Sequence, residues 1–189
     1  MSRIQDVCRG DVVHGSDYTM IIRSAEIRDA KQMAHIVNDI IKRGGTTAHE
    51  EPFNEDGVER SFIHPRLGIS CLVAEDGDKI HGFQSLEWSD PDWIGDDKIP
   101  ASWAIISSFV DINKHRRGIG KALFQQTTKY AQEAQVEYIE ATIRADNENG
   151  LRYYSSLGFY EYDVLKGVAL SNGVLVDRIR KKFKVQLNE

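Results

Sequence analysis

Short apolar runs alternate along the chain with longer segments in which apolar residues recur every three or four positions. The short runs predict strands at 20–24, 69–74, 79–87, 102–110, 138–143, 159–164 and 174–183. The longer segments predict amphipathic helices at 29–43, 54–64, 118–134 and 147–157. This order predicts an α/β protein built around one sheet, in a single domain over residues 20–189. Residues 1–19 show no such period, and we expect them to be an N-terminal extension.

Composition narrows the class of protein. Apolar residues make up 41% of the chain and charged residues 28%, as in ordinary globular proteins. The net charge of −5 does not suggest a nucleic-acid partner. We find neither an apolar run of membrane-spanning length nor a signal peptide, so a cytoplasmic protein is expected. Cys8 and Cys71 are then expected to be reduced thiols, and the six histidines lack the paired spacing of metal ligands.

One polar turn stands out because a helix with two glycines in its first turn follows it. It leads from a strand ending at Val110 into a helix that contains Gly118 and Gly120. Glycines permit close backbone approach, and a helix start offers free N–H groups, so the turn suits a phosphate group. A P-loop is excluded because Ala122 follows the Gly120-Lys121 pair, and Leu123 replaces the third glycine of a dinucleotide-binding turn.

Two motifs fit a third class. The run His115-Arg116-Arg117-Gly118-Ile119-Gly120 resembles the acyl-CoA signature of the GNAT N-acetyltransferase superfamily, with His115 where glutamine or arginine is usual. The family's second motif has asparagine, a small residue at +3, tyrosine at +7 and Gly-Phe at +11 and +12. The sequence is similar at every spacing, with Asn147, Gly150, Tyr154 and Gly158-Phe159.

The resemblance implies a GNAT-type acyl-CoA N-acyltransferase fold, in which a mostly antiparallel sheet splays at the cofactor site. A looser resemblance concerns the loop after the first helix. Gly44-Gly45-Thr46-Thr47-Ala48, followed by Glu51-Pro52, is similar to the phosphinothricin acetyltransferase-like branch. The family also implies a homodimer, which we keep as an expectation.

The resemblance implies acetyl-CoA as acyl donor and no metal. Backbone N–H groups of residues 117–121 (Arg117, Gly118, Ile119, Gly120 and Lys121) would hold its pyrophosphate, with side-chain contacts from Arg116 and Lys121. Phe109 and Val110 would pair with the pantetheine arm like an added strand. Asn147 would bind the cofactor, cap its own helix, or do both.

The resemblance makes Tyr154 the candidate general acid for the leaving thiolate, since a phenol can protonate a thiolate. The alternative is a core tyrosine. The branch's glutamate base would fall on Ile105, so this chain lacks it. Either water relays the amine's proton or another residue does; Glu87 is the best candidate, ahead of Ser107 and His115.

The acceptor side is less defined. The acidic loop 88–100 would favour a cationic amine if it lines the pocket, although it can equally be solvated. Basic residues of the last strand, Arg178, Arg180, Lys181 and Lys182, are expected to be solvated. We expect an N-acetyltransferase acting on a small-molecule or amino-acid-like amine by direct attack. The alternatives are a protein or peptide N-acetyltransferase and a non-catalytic acyl-CoA-binding module.

Overall fold

The computed structural model describes residues 11–15, 18–47, 49–95, 97–114 and 118–187. The strands in these ranges are β1 (Asp11–Gly15), β2 (Tyr18–Ser24), β3 (Gly68–Asp76), β4 (Lys79–Trp88), β5 (Trp103–Val110), β6 (Tyr138–Arg144), β7 (Tyr160–Ala169) and β8 (Leu175–Lys184). The helices are α1 (Ala30–Arg43), α2 (Glu55–Val58), α3 (Ile119–Glu133) and α4 (Glu148–Ser156). A π-helical segment, Glu59–Ile63, continues α2.

Each helix and strand expected from the hydrophobic pattern is present, with ends that differ by a few residues. The addition is β1, which pairs antiparallel with β2, for example Asp11 with Ile22. Its five residues, Asp11–Gly15, were not predicted because they contain too few apolar positions to show a period. The division between an extension over 1–19 and a domain over 20–189 remains a prediction.

The described strands form one eight-stranded sheet in the order β1-β2-β3-β4-β5-β6-β8-β7. Neighbours pair antiparallel except β5 and β6, which run parallel. Their pairing covers only Trp103 to Ile105 against Tyr138 to Glu140. Beyond this point the two strands, both fully described, continue without a shared ladder. This opening, which we call the strand gap, confirms the predicted splay of the sheet.

Two hydrophobic layers sandwich the sheet, because apolar side chains alternate between its faces along each strand. On the first face, α1 and α2 pack against the strands through residues such as Met33, Val37, Val58, Phe62 and Phe109. We call this the α1 face. On the other, the α3 face, helices α3 and α4 contribute to a second cluster that includes Leu86, Ile106, Phe124, Ile139, Tyr154 and Phe159.

In the described residues, no helix combines the length and the apolar character that a membrane crossing requires. Cys71 is buried in β3, and burial raises the pKa of its thiol to about 12. Cys8 lies outside the described residues.

Candidate active site

The strand gap borders the start of α3. Gly118 caps this helix with φ +76, a left-handed conformation that favours glycine, and open space surrounds the position of its absent Cβ. Among the described residues, the first helical hydrogen bond of α3 runs from the Ala122 N–H to the Gly118 carbonyl. Backbone donors ahead of such a bond lack intrahelical acceptors. The N–H groups of Ile119, Gly120 and Lys121 therefore fit a phosphate group.

The second glycine of this turn is required by packing within the protein. A Cβ on Gly120 would lie 2.7 Å from Cε2 of Tyr153, which is closer than real contacts allow. The Tyr153 hydroxyl donates a hydrogen bond of 2.9 Å to the Gly120 carbonyl. The sequence attributed this glycine to close approach of a ligand, whereas the structure shows that it also lets α4 pack against α3.

The other predicted cofactor contacts fall into two groups. His115, Arg116 and Arg117 lie outside the described residues. Phe109 and Val110 end β5, where the ladder with β6 has already stopped at Ile105. The Phe109 side chain is buried on the α1 face, so its contribution to a bound pantetheine arm would come from its backbone.

The second motif forms a compact unit at the start of α4. Asn147 caps the helix, since its Oδ1 accepts a 2.9 Å hydrogen bond from the Gly150 N–H. Its Nδ2 donates to the Thr46 carbonyl, also at 2.9 Å. A Cβ on Gly150 would lie 2.6 Å from Nδ2 of Asn147, which explains the small residue at +3. Asn147 therefore acts as a helix cap that also fastens the loop after α1.

The same unit holds Tyr154 beside the gap. Gly158 turns the chain with φ +95, so that Phe159 packs edge-on against the Tyr154 ring at 5.0 Å between centroids. The Tyr154 hydroxyl points at β5, where it donates a 3.1 Å hydrogen bond to Ser108 Oγ. Burial raises the pKa of Tyr154, which keeps the phenol protonated. Tyr154 is thus buried like a core tyrosine, and its hydroxyl contacts β5, the strand that borders the gap.

A buried polar network surrounds this hydroxyl. Gln84 on β4 donates through Nε2 to Ser108 Oγ at 2.7 Å and to the Tyr153 hydroxyl at 3.3 Å. Thr127 on α3 donates to Gln84 Oε1 at 2.6 Å, which fixes the orientation of the amide. Gln84 and Thr127 are both fully buried, so each polar atom needs these partners. A continuous chain of hydrogen bonds therefore connects Tyr154 to the first turn of α3.

The candidate bases lie in a row on the α1 face. The sheet register pairs Ile105 with Glu87 on β4 and with Glu140 on β6. The position expected to hold the base is therefore flanked by a carboxylate on each side. Glu140 is committed, since its Oε1 accepts hydrogen bonds from Thr142 at 2.8 Å and from Arg180 at 3.1 Å.

Glu87 is the carboxylate that remains available. Its side chain forms no hydrogen bond or ion pair with a described residue, and it is half-buried. Burial raises its pKa and no opposing charge acts on it. Glu87 lines an open cavity of about 250 Å³, together with Arg66, Leu67, Trp88, Asp90 and Ile105. The geometry therefore gives an unpaired carboxylate with access to a small molecule.

The loop after α1, described for residues 44–47 and 49–54, crosses the α1 face towards the gap. Thr46 contacts Asn147, and a carboxylate oxygen of Glu50 accepts a 2.5 Å hydrogen bond from the Ser171 N–H. The ring of His49 packs among those of Phe53, Phe62 and Phe109, with centroids 5.1 to 6.2 Å away. Burial lowers the pKa of His49, so the imidazole is neutral at pH 7. The threonine-rich loop thus covers the side of the gap that faces α1.

Most of the described carboxylates of the acidic loop have partners within the protein, which reduces the negative charge that the loop presents to a ligand. Asp90 and Asp92 both lie near Arg66, at 2.8 and 3.9 Å, and Asp97 accepts a hydrogen bond from Trp93 Nε1 at 2.7 Å. Asp96 lies outside the described residues. Asp90 alone of these carboxylates lines the cavity beside Glu87.

The expectation that the basic end of the last strand is solvated is wrong for Arg180. This side chain is buried, and it donates to Glu140 and to Asp163 at 3.0 Å. It also donates to the Asp97 carbonyl at 2.9 Å, which fastens the acidic loop to the sheet. The sequence could not reveal this because the three partners come from distant segments.

Sequence reasoning also missed the network of Gln84, Ser108, Thr127 and Tyr153. A signal existed, since Gln84 and Ser108 interrupt apolar strands at positions that face the core. Buried polar residues on neighbouring strands are expected to be hydrogen-bonded to each other.

No group of three or more histidine, cysteine or acidic side chains in the described ranges could hold a metal ion.

Comparison with known proteins gives consistent matches. The sequence model of the Acetyltransferase (GNAT) family matches residues 34–159, which are 126 of the 189 residues. An uncharacterized N-acetyltransferase of Methanocaldococcus jannaschii is 32% identical over 96 residues, 51% of this chain and 41% of that protein. A Bacillus subtilis protein, provisionally named a phosphinothricin acetyltransferase, is 24% identical over 161 residues, 84% of this chain and 94% of that protein.

Solved structures share the architecture. The yncA protein of Salmonella typhimurium, whose structure contains its cofactor acetyl-CoA, superposes with a TM-score of 0.71. It covers 89% of this chain and 95% of its own length at 18% identity. At this level of identity the match establishes the fold.

Proposed function

The chain belongs to the GNAT acetyltransferase family, and we propose that it transfers the acetyl group of acetyl-CoA to the amine of a small molecule or amino-acid-like acceptor. Acetyl-CoA supplies the activated acyl group in this family. The match to the provisionally named phosphinothricin acetyltransferase, over 84% of the chain, supports the branch and a small acceptor.

One observation carries the proposal. The ladder between β5 and β6 ends at Ile105, so residues 106–109 of β5 have no strand partner on that side, and the Tyr154 hydroxyl lies 3.1 Å from Ser108 in this segment. An extended arm can add to such an edge by strand-like pairing. The reacting end of the donor would then lie beside a protonated phenol, while its phosphates reach the start of α3.

Residues of this chain divide the remaining tasks. Tyr154, kept protonated by burial, donates a proton to the leaving sulfur. Glu87, the unpaired carboxylate of the cavity, accepts the proton of the amine through water. Phe109 and Val110 hold the arm through their backbone, and residues 118–121 hold the phosphates. Asn147 stabilises the α4 start from which Tyr154 extends.

The boundary of the catalytic unit is part of the proposal. We infer that residues 20–189 form the transferase domain, to which β1 adds an edge strand. We also propose homodimerisation, on the family resemblance alone. Gel filtration at micromolar concentration tests it, and a monomer would refute it.

Thiol release from acetyl-CoA tests the function when it is measured with a panel of small amines, free amino acids and peptides. We expect release with small amines or amino acids, and mass spectrometry should find one N-acetyl group on the acceptor. A single peptide substrate would replace this proposal with peptide acetylation. Tight binding of acetyl-CoA without turnover on any acceptor would indicate a binding module instead.

A further inference from the structure

Cationic side chains line the α1 face of β8. These are Arg178, Arg180, Lys182 and Lys184, which alternate with residues facing α3. Arg180 is paired with Glu140 and Asp163. Lys182 lies over the rings of Trp103 and Tyr138 at 4.7 and 4.6 Å, and Lys184 lies over Tyr138 at 4.9 Å.

Arg178 differs from these neighbours. No hydrogen bond or ion pair joins it to any residue in the described ranges, and its Nε is buried without an acceptor. A charged donor removed from water without a partner is costly. Most arginines in such positions are paired, so an anion that binds here would offset this cost.

The cross-strand neighbour of Arg178 makes the local charge more positive. The register places Arg144 of β6 directly opposite Arg178. Arg144 already has its own partner, since its Nε and Nη2 donate to Asp146 at 2.9 and 2.7 Å. The charge of Glu50 also acts on Arg144 and contributes to raising its pKa. Asp146 is therefore committed to Arg144, and Glu50 accepts a hydrogen bond from the Ser171 N–H, so Arg178 is left without an acidic partner among the described residues.

The position of Arg178 relates it to the proposed reaction site. β8 pairs with β6, and β6 forms one side of the strand gap. Counting from the last shared pair, Ile105 with Glu140, Arg144 is level with Phe109 across the gap. Because neighbouring strands lie about 5 Å apart, a long side chain on β8 can reach the edge of the gap. The loop after α1 is held at the start of the β7–β8 turn, where Glu50 accepts a hydrogen bond from the Ser171 N–H.

We propose that Arg178 binds a carboxylate of the acceptor, so that the preferred acceptors are amino acids rather than simple amines. This inference rests on the proposed function and specifies its substrate class. A guanidinium suits a carboxylate because two parallel N–H donors match its two oxygens. This replaces the cationic amine that the acidic loop would favour if it lined the pocket, since Asp90 and Asp92 are paired with Arg66.

Kinetics with matched acceptors provide the first test. Free amino acids and their carboxamides differ mainly in the anionic group. For the natural sequence we expect a lower KM for the acids. Arg178→Met should raise the KM of the acids at least tenfold, leave the KM of acetyl-CoA unchanged, and change the KM of the carboxamides little. Arg178→Lys should restore part of the difference. An equal effect on acids and carboxamides would overturn the proposal.

The matched control is Lys181→Met. Lys181 is on the same strand but faces α3, where its Nζ donates to Ser155 Oγ at 2.9 Å. We expect this variant to retain the preference for acids. Thermal unfolding of Arg178→Met should show no loss of stability, since the removed charge has no partner among the described residues. A folding defect would therefore be distinguishable from a loss of recognition.

A binding measurement separates failure of this inference from failure of the proposed function. Calorimetry with N-acetylalanine and N-acetylalaninamide, in the presence of coenzyme A, requires no turnover. Binding of the acid that is lost in Arg178→Met supports the carboxylate site even if no amine is acetylated. Equal binding of both probes, or no binding of the acid to the natural sequence, overturns it. Acetylation of simple amines alone would leave the transferase standing without this site.

Discussion

Replacing Tyr154 with phenylalanine removes one oxygen from the centre of the proposed site. The lost hydrogen bond is the 3.1 Å contact with Ser108 Oγ. Ser108 keeps its second donor, Gln84 Nε2 at 2.7 Å, so its oxygen is not left bare. A neutral hydrogen bond of this kind contributes about 1 kcal/mol. In a chain of this size that cost lowers the Tm by roughly 2–4 °C.

The expected effect on catalysis is larger than the effect on stability. General acid catalysis contributes on the order of 10²–10⁴ in rate, so we expect Tyr154→Phe to lower kcat at least tenfold. The KM for acetyl-CoA should change little, because the groups that hold the phosphates lie on α3. Steady-state rates with both substrates saturating, together with thermal unfolding, measure the two effects separately.

Tyr130→Phe is the matched control. Tyr130 lies towards the far end of α3, and its hydroxyl is 3.4 Å from Ser24 Oγ, away from the gap. This variant should keep the kcat of the natural sequence. If Tyr154→Phe also turned over at the natural rate under saturating conditions, Tyr154 would have no part in the proton transfer.

Four further changes test other parts of the site and fold. If Glu87 is the base, activity requires its ionised form, so kcat/KM should fall on the acidic side of the pH profile. Burial raises the pKa of Glu87, so this fall should occur above the ordinary glutamate pKa of about 4.3. Glu87→Gln should remove this acidic limb and should cause no loss of stability on unfolding. Gly120→Ala brings a Cβ to 2.7 Å from the Tyr153 ring, so denaturant unfolding should show a loss of about 1–3 kcal/mol and the KM for acetyl-CoA should rise. Gly118→Ala, which meets no atom within 4 Å but has φ +76, should cost only about 1–2 kcal/mol. Asp29→Asn should cost about 1–3 kcal/mol at pH 7, because Asp29 accepts two hydrogen bonds from Arg23. Burial opposes ionisation of Asp29, but hydrogen bonds from Arg23 and from the Glu26 N–H lower its pKa in the folded protein. The stability that these bonds contribute is therefore present above the pKa of Asp29 in the unfolded chain, and it is lost as the pH falls through its pKa in the folded protein.

The sequence predicted those local contacts of the candidate site that depend on short spacings. Gly118, Gly120, Asn147 and Tyr154 each belong to a motif within one turn and helix, and the structure gives physical reasons for their spacing. Gly150 leaves room for the Asn147 cap, for example, and Gly158 turns Phe159 onto Tyr154. Such contacts join residues close in sequence, so a linear pattern can record them.

Pairings across the sheet were not predictable in the same way. Glu87, Ile105 and Glu140 form one row, but the positions are 18 and 35 residues apart in sequence, and nothing local fixes the register. A one-residue slip would turn each side chain to the other face. The unpaired state of Arg178 likewise depends on what its neighbours bind. The spacing of the proposed donor-side residues could therefore be recognised in the sequence, whereas the arrangement of the proposed acceptor side required the sheet.

The most direct test of the account is a transfer experiment with acetyl-CoA labelled with ¹³C in the acetyl group. We predict that one labelled N-acetyl product forms for each thiol released, that initial-rate plots for the two substrates intersect, and that no label is attached to the protein before an amine is added. Label on the protein in the absence of an amine, or thiol release without an N-acetylated acceptor, would contradict direct transfer across the strand gap.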